Sequence, residues 1–226
     1  MGCSQHEGEA QMPDVLSDAY FCQMRDAART RVPKKRFAHM EGVAKTAEEL
    51  ARAYGVDPAR ARLAGILHDW DKGLDNDQIR CKVKELGIED EVGSWVVANM
   101  PQVVHGPTAA AELAREHPEI PADVLSAIWK HTIASSEMTE LDKIIYIADA
   151  LEPGRSFDEV GDLRAMMGVA SLDELYLEVY RFWIQTLIGM GGLLHPDTLA
   201  IWNALIYPEA HERLLRYEKR CKERKA

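Results

Sequence analysis

Apolar residues recur at intervals of three or four along most of the chain, which is the spacing of one face of an α-helix. The clearest example lies over residues 37–54, and Gly55 follows it as a stop signal. Asp57 and Pro58 are typical of the N-cap and first residue of a second helix, whose apolar positions extend to Leu67. The apolar positions of the first helix are Phe37, Val43, Ala44, Ala47, Leu50, Ala51 and Tyr54.

Capping signals predict further helices downstream. Thr139 and Ser171 each begin a capping-box pattern, and Pro121 and Asp197 are the expected starts of two other helices. Residues 144–148 are the one stretch whose side chains also suit a β-strand, although the cap before them and the alanines favour a helix. The sequence therefore predicts an all-α fold.

The chain divides into three expected segments. Residues 1–13 are polar and predict a flexible tail, residues 14–208 predict a single domain, and residues 209–226 predict a charged C-terminal helix. The last of these ends in basic residues, which suit the negative pole of a helix dipole.

Charge and composition narrow the classes of partner. The chain carries 27 basic and 37 acidic residues, a net charge of −10. This balance argues against a nucleic-acid partner, because phosphate backbones are neutralised by clustered Lys and Arg. Small anionic substrates remain compatible, because local cations or a metal can overcome the global field. No apolar run approaches the roughly 20 residues that cross a bilayer, and the four cysteines form no CxxC pair. We expect a cytoplasmic protein with no membrane partner and no cysteine zinc site.

Ionisable side chains on apolar helix faces are the candidates for chemistry. Each alone would be an ordinary core histidine or a capping aspartate. Together they need a common partner, because buried carboxylates are costly unless compensated, and a divalent cation supplies one. A mixed His and Asp set favours iron, manganese, nickel or zinc over calcium or magnesium. The set consists of His39, His68, Asp69, His105, His131 and Asp149. The other histidines, expected at the surface or in turns, are His6, His117, His195 and His211.

The order of these residues, H…HD…D, resembles that of the HD-domain metal-dependent phosphohydrolases, and in particular the YqeK-like subgroup. A His-Asp doublet is common by chance, whereas the sequence around it is far more specific. The resemblance covers roughly residues 36–207 and implies an HD-domain helical bundle. The matching segments are RFAH over 36–39, AGILHDWDK over 64–72, VHGP over 104–107, KHT over 130–132, LDKIIYIAD over 141–149, LEPGR over 151–155 and HPDT over 195–198.

This resemblance implies a symmetrical bis(5'-nucleosyl)-tetraphosphatase, which cleaves diadenosine tetraphosphate into two ADP with a metal-activated hydroxide. ADP or GDP would bind as product-like ligands. Two divalent metals per chain are implied, with iron as the first choice and manganese, cobalt, nickel or zinc as alternatives. The implied ligands are His39, His68, Asp69 and Asp149 for the first metal, and His105 and His131 for the second, with Asp69 bridging. The implied catalytic residues are His68, Asp69 and Lys72.

Four side chains are predicted to bind the phosphates of the substrate. Lys72 follows the His-Asp doublet closely, and Arg155 follows a Pro-Gly turn, where a guanidinium could clamp a phosphate. A plain surface cation is the alternative for both. Arg36 is a weaker candidate, and Thr132 could either bind a phosphate oxygen or cap a helix.

Several alternatives remain open at this point. Trp70, Trp95 and Trp129 could stack on adenine, although core packing is the favoured interpretation. The subgroup usually has a Gly shortly after its His-Thr pair, where this chain has Ile133 and Ala134. Another HD-domain nucleotide phosphohydrolase, a nucleotide sensor without turnover and a purely structural bundle are the competing functions. A homodimer is also compatible with the sequence.

Overall fold

The computed structural model of the protein describes residues 14–207, and this part of the chain contains helices and no β-strand. A 3-10 helix at Pro101–Val103 lies between α6 and α7, and residues 198–207 are also helical. The α-helices are α1 Asp18–Arg31, α2 Lys34–Tyr54, α3 Pro58–Leu67, α4 Asn76–Leu86, α5 Glu89–Val92, α6 Ser94–Asn99, α7 His105–Glu116, α8 Ala122–Lys130, α9 Glu140–Leu151, α10 Val160–Ala165 and α11 Leu172–Gly189.

The predicted capping residues lie at the ends of the helices. Asp57 accepts hydrogen bonds from the first turn of α3, and Gly55 ends α2 with a positive φ of 76°. Thr139 and Ser171 both form capping boxes, before α9 and α11 respectively. Residues 144–148 lie inside α9, so the helical interpretation of this stretch is confirmed.

The main hydrophobic core lies between α2, α3, α8 and α9, with α11 packed on α9. Gly65 allows α3 to approach α2 closely, because a Cβ there would lie 2.7 Å from the Cα of Ala44. This close approach brings the end of α3 beside the middle of α2. A second, smaller apolar cluster joins α4, α6 and the start of α7.

Some expectations lie outside the described residues: the tail over 1–13, the helix over 209–226, His6, His211, Cys3 and Cys221. Cys22 and Cys81 are free and exposed. Among residues 14–207, no helix combines the length and the apolarity that crossing a bilayer would require. The division into one domain stays a prediction.

Ala134 is the second residue after the His-Thr pair and has a φ of 66°, the one positive φ of a residue other than glycine in the described chain. The left-handed conformation costs an L-residue about 1–2 kcal/mol, which exceeds the roughly 0.8 kcal/mol gained by burying one methyl group. We therefore expect Ala134→Gly to leave the free energy of unfolding unchanged within about 0.5 kcal/mol, or to raise it.

Ala127→Gly, at a buried position inside α8, is the matched control and is expected to cost about 1 kcal/mol or more. Urea unfolding measures both variants. An equal loss of stability in the two variants would contradict the account of backbone strain at Ala134.

Candidate metal centre

Four histidines converge on the carboxylate of Asp69. His39 lies on α2, His68 and His131 directly follow the last residues of α3 and α8, and His105 begins α7. The ring centroids of His68 lie 5.3 Å from His39 and 4.9 Å from His131. Packing of these four helices therefore surrounds one buried carboxylate with imidazoles.

The two carboxylate oxygens of Asp69 face different histidines. Oδ2 lies 3.4 Å from Nε2 of His68 and 3.7 Å from Nε2 of His39. Oδ1 lies 3.0 Å from Nε2 of His105 and 3.8 Å from Nε2 of His131. Two ligand atoms that share an ion about 2.1 Å away lie roughly 3–3.5 Å apart. The ligand atoms thus form two groups, each within 4.8 Å, that share Asp69: His39, His68 and Asp69, and Asp69, His105 and His131.

Each imidazole is held by a hydrogen bond at Nδ1, which directs Nε2 toward Asp69. With Nδ1 as the donor, the lone pair of Nε2 is left for a cation. Nε2 of His39 and of His68 is buried close to carboxylate oxygens but forms no well-aligned hydrogen bond within residues 14–207, which is unfavourable unless an ion binds there. The Nδ1 acceptors are Glu152 Oε1 for His39 at 3.0 Å, the Gly65 carbonyl for His68 at 2.7 Å, the Gln102 carbonyl for His105 at 2.9 Å and the Ile128 carbonyl for His131 at 2.7 Å.

The protonation states of these side chains fit metal ligands. Burial, helped by the neighbouring imidazoles, holds the pKa of His131 well below its usual value. Burial alone would raise the pKa of the Asp69 carboxyl, but His68 and His105 outweigh it and hold that pKa well below its usual range. At His68 burial favours the neutral form, yet Asp69 raises the pKa. A cation bound there would replace a proton.

Asp149 and Arg155 lie beside the first of the two groups. Asp149 Oδ1 is 3.0 Å from His39 Nε2. The Arg155 guanidinium contacts the same oxygen, and its Nε donates to the Asp149 carbonyl at 2.8 Å. Burial would raise the pKa of Asp149, but His39, His68 and Arg155 lower it below the usual range. The carboxylate is therefore ionised, as a ligand needs to be.

A cleft of about 980 Å³ opens onto this centre, and Arg36, Lys72 and Arg155 line it. Arg36 Nη1 donates to Asp69 Oδ2 at 2.9 Å, and Lys72 Nζ lies 3.4 Å from His105 Nδ1. Burial lowers the pKa of Lys72 against the attraction of the nearby carboxylates. The cleft wall is thus locally basic in an acidic protein, a field that attracts anionic substrates.

A buried ion-pair network holds the turn that follows the His-Asp doublet. Asp71 accepts from Arg31 Nη2 at 3.2 Å and from Lys82 Nζ at 2.7 Å. Both cations also contact Glu112 Oε2, at 2.5 and 2.9 Å. Trp70 Nε1 donates to the same oxygen at 2.7 Å. Side chains from α1, α4 and α7 therefore fix this turn beside the centre.

The family model of the HD domain matches residues 36–154, which contain all the side chains of the two groups and Asp149. The chain belongs to the HD-domain family. The predicted resemblance and the all-α fold are thereby confirmed.

Relatives of this HD-domain protein extend the comparison over most of the chain. A Staphylococcus aureus protein named bis(5'-nucleosyl)-tetraphosphatase, symmetrical, is 33% identical over 183 residues, 80% of this chain and 92% of the relative. A Bacillus subtilis protein of the same name is 29% identical over 178 residues, 79% of this chain and 93% of the relative. A crystal structure from Clostridium acetobutylicum, described as a predicted HD superfamily hydrolase involved in NAD metabolism, is 35% identical with a TM-score of 0.75 and covers 83% of this chain and 97% of that one.

Thr132 is placed away from the phosphate candidates. Its hydroxyl donates to the Val103 carbonyl at 2.7 Å, and its side chain lines a separate cavity of about 70 Å³. Thr132 is also not the N-cap of any described helix, since Thr139 caps α9. The structure therefore does not support the capping role, and phosphate binding by Thr132 stays a prediction.

The tryptophans differ in their surroundings. Trp70 is buried and Trp129 packs partly buried against both apolar clusters, in agreement with core packing. Trp95 is 49% exposed, so the core interpretation is wrong for it.

His117 contacts Glu119 at the end of α7, and His195 Nδ1 accepts from a main-chain N–H in the turn before residues 198–207.

Glu152 was not singled out from the sequence, yet it supports His39 directly. Its Oε1 accepts from His39 Nδ1, and its Oε2 accepts from the Gly154 N–H at 2.6 Å. Gly42 on α2 leaves room for this carboxylate, because a Cβ there would lie 2.6 Å from Oε2. A carboxylate behind a histidine fixes the tautomer that binds a metal through Nε2.

Replacing Glu152 with Ala is expected to lower metal affinity by about 10–100-fold, since His39 loses its orienting partner. Glu152→Gln should lose less, because the amide oxygen can still accept from His39. Titration calorimetry with Mn²⁺ on the metal-free protein measures the effect. Asp158→Ala removes an exposed acid nearby and serves as the control. Unchanged affinity in Glu152→Ala would show that the contact does not orient His39.

Proposed function

We propose that this HD-domain protein is a divalent-metal-dependent hydrolase that cleaves diadenosine tetraphosphate symmetrically into two ADP. The observation that carries the proposal is the pair of His and Asp groups sharing Asp69 at a basic cleft. The names of the Staphylococcus and Bacillus relatives support the choice of substrate.

The proposed metal ligands divide into two sets according to which carboxylate oxygen of Asp69 they face. Iron is the first choice of metal, with manganese, cobalt, nickel or zinc as alternatives, because mixed imidazole and carboxylate sites suit these ions. When bound, such ions lower the pKa of a water molecule and neutralise charge on a phosphoryl group. The first site would be held by His39, His68, Asp69 and Asp149, and the second by Asp69, His105 and His131.

The cations of the cleft are proposed to hold the polyphosphate. Arg36 and Arg155 each contact a ligand carboxylate, at Asp69 and Asp149, with side chains that remain about 33% and 30% exposed. Their planar guanidinium groups can bind two phosphate oxygens at once. Lys72 adds a partly buried point charge on the same wall. These groups would orient the chain of phosphates across the centre and offset its charge.

The test is a comparison of kcat/KM for Mn²⁺-loaded protein on diadenosine tetraphosphate, dATP and a cyclic dinucleotide. We expect diadenosine tetraphosphate to have the highest value by at least roughly tenfold. A higher value for either competitor would assign a different phosphohydrolase activity. Absence of all turnover with metal and ADP demonstrably bound would favour a nucleotide sensor.

A further inference from the structure

Three aromatic side chains pack together beside the cleft, two of them lining it, and we call Phe157, Phe182 and Trp183 the aromatic corner. The Phe157 and Phe182 rings are stacked, with centroids 4.3 Å apart and planes at 17°. Trp183 meets Phe182 edge-on at 5.1 Å and lies 6.1 Å from Phe157. Phe157 and Trp183 both line the cleft and are only partly buried. The corner is therefore a braced apolar surface with area left uncovered.

The aromatic corner lies close to the phosphate candidates. Phe157 is two residues beyond Arg155, and two residues of extended chain span at most about 7 Å. Both residues line the same cleft as His39. A ligand whose phosphates contact Arg155 and the metal centre can therefore reach Phe157 with its organic part.

The chemistry of the corner suits a nucleobase, and the proposed substrate supplies a purine. Flat π-systems stack on aromatic rings, and this contact tolerates any base. The Trp183 indole N–H donates no hydrogen bond within the described chain, so it is free to donate to a ring nitrogen of a ligand.

The other aromatic candidates are excluded by their surroundings. Trp70 is 3% exposed, its indole N–H is bonded to Glu112, and Arg31 lies 4.4 Å above its ring. Trp129 lines a different cavity of about 410 Å³ whose walls contain none of the proposed metal ligands. Trp95 lies on α6 and lines none of these cavities.

We propose that the aromatic corner binds a purine base of the substrate, with Phe157 and Trp183 as the base-binding residues. This inference rests on the proposed function for the identity of the nucleotide. It assigns base affinity to the corner, and it assigns phosphate affinity to the cations and the metal centre.

The experiment compares ADP with inorganic pyrophosphate as ligands of the Mn²⁺-loaded protein, by titration calorimetry. In Phe157→Ala the Kd for ADP is expected to rise roughly tenfold, as for the loss of one base-stacking contact. The Kd for pyrophosphate is expected to stay within about twofold. Phe157→Leu and Trp183→Leu retain apolar bulk, remove the flat ring and give the same result if Phe157→Ala fails to fold. Trp95→Ala is the control and leaves both ligands unaffected.

Equal weakening of ADP and pyrophosphate would overturn the proposal, because the corner would then act on the phosphate site. Unchanged ADP affinity in both Phe157→Leu and Trp183→Leu would overturn it as well. Turnover of diadenosine tetraphosphate is not needed for either result. Failure of the proposed function therefore shows in the kinetic comparison, and failure of the base site shows in the difference between the two ligands.

Discussion

Replacing Asp69 with Ala is expected to reduce turnover of diadenosine tetraphosphate by at least roughly 10²–10³-fold and to remove both metals from a folded protein. The reason is geometric, because one carboxylate supplies Oδ2 to the group with His39 and His68 and Oδ1 to the other group. No second carboxylate in the described chain contacts both groups. Metal per chain, measured by mass spectrometry after loading with Mn²⁺, should fall from about two to well under one.

Two further variants are compared with Asp69→Ala. Asp69→Asn has nearly the same shape but no charge, and it should lose almost as much activity. Asp77→Ala removes an exposed aspartate on α4 and should retain full activity and metal. Retained turnover in both Asp69 variants, with far-UV circular dichroism unchanged, would contradict the assignment of the site.

The second large effect on turnover and metal content is expected from His131 and His39, which belong to different groups around Asp69. His131→Ala should reduce bound metal from about two ions to about one and lower turnover by roughly 10²-fold or more. His39→Ala should also leave about one ion, since it belongs to the other group. The double variant should bind little or none, because each change removes a different site.

Metal stoichiometry and calorimetry distinguish this division from a single shared site. If His131→Ala alone abolished binding of both ions, the two groups would act as one site. If it left two ions bound at wild-type affinity, His131 would be a structural histidine. Thermal unfolding of each variant separates loss of metal from loss of fold.

Local sequence signals were sufficient for the helices near the site. Asp57, Thr139 and Ser171 are caps because their side chains bond backbone N–H groups a few residues away. Such contacts can be read from a short stretch of sequence. The ligand candidates were recognisable because ionisable groups on apolar helix faces need a partner, and because their spacing resembles a family pattern.

Contacts between distant parts of the chain could not be predicted in the same way. Glu152 meets His39 across 113 residues, and no local pattern marks that pairing. Phe157 and Trp183 also come together only through packing of α11. The hydroxyl of Thr132 likewise donates to the Val103 carbonyl, which lies 29 residues earlier in the chain.

Ala134 departs from the family pattern, and the departure has a physical consequence for the backbone. The subgroup usually has a Gly shortly after its His-Thr pair, and Gly adopts a left-handed backbone without strain, whereas in this chain Ala134 adopts it. The loop after His131 therefore carries local backbone strain at Ala134, whose side chain is buried.

The most direct test of the account is product analysis after incubation of Mn²⁺- or Fe²⁺-loaded protein with diadenosine tetraphosphate, by ion-exchange chromatography. We predict ADP as the sole nucleotide product, and no product from Asp69→Ala under the same conditions. AMP together with ATP would contradict symmetrical cleavage, and ADP formation that persists in Asp69→Ala would contradict the metal centre as its source.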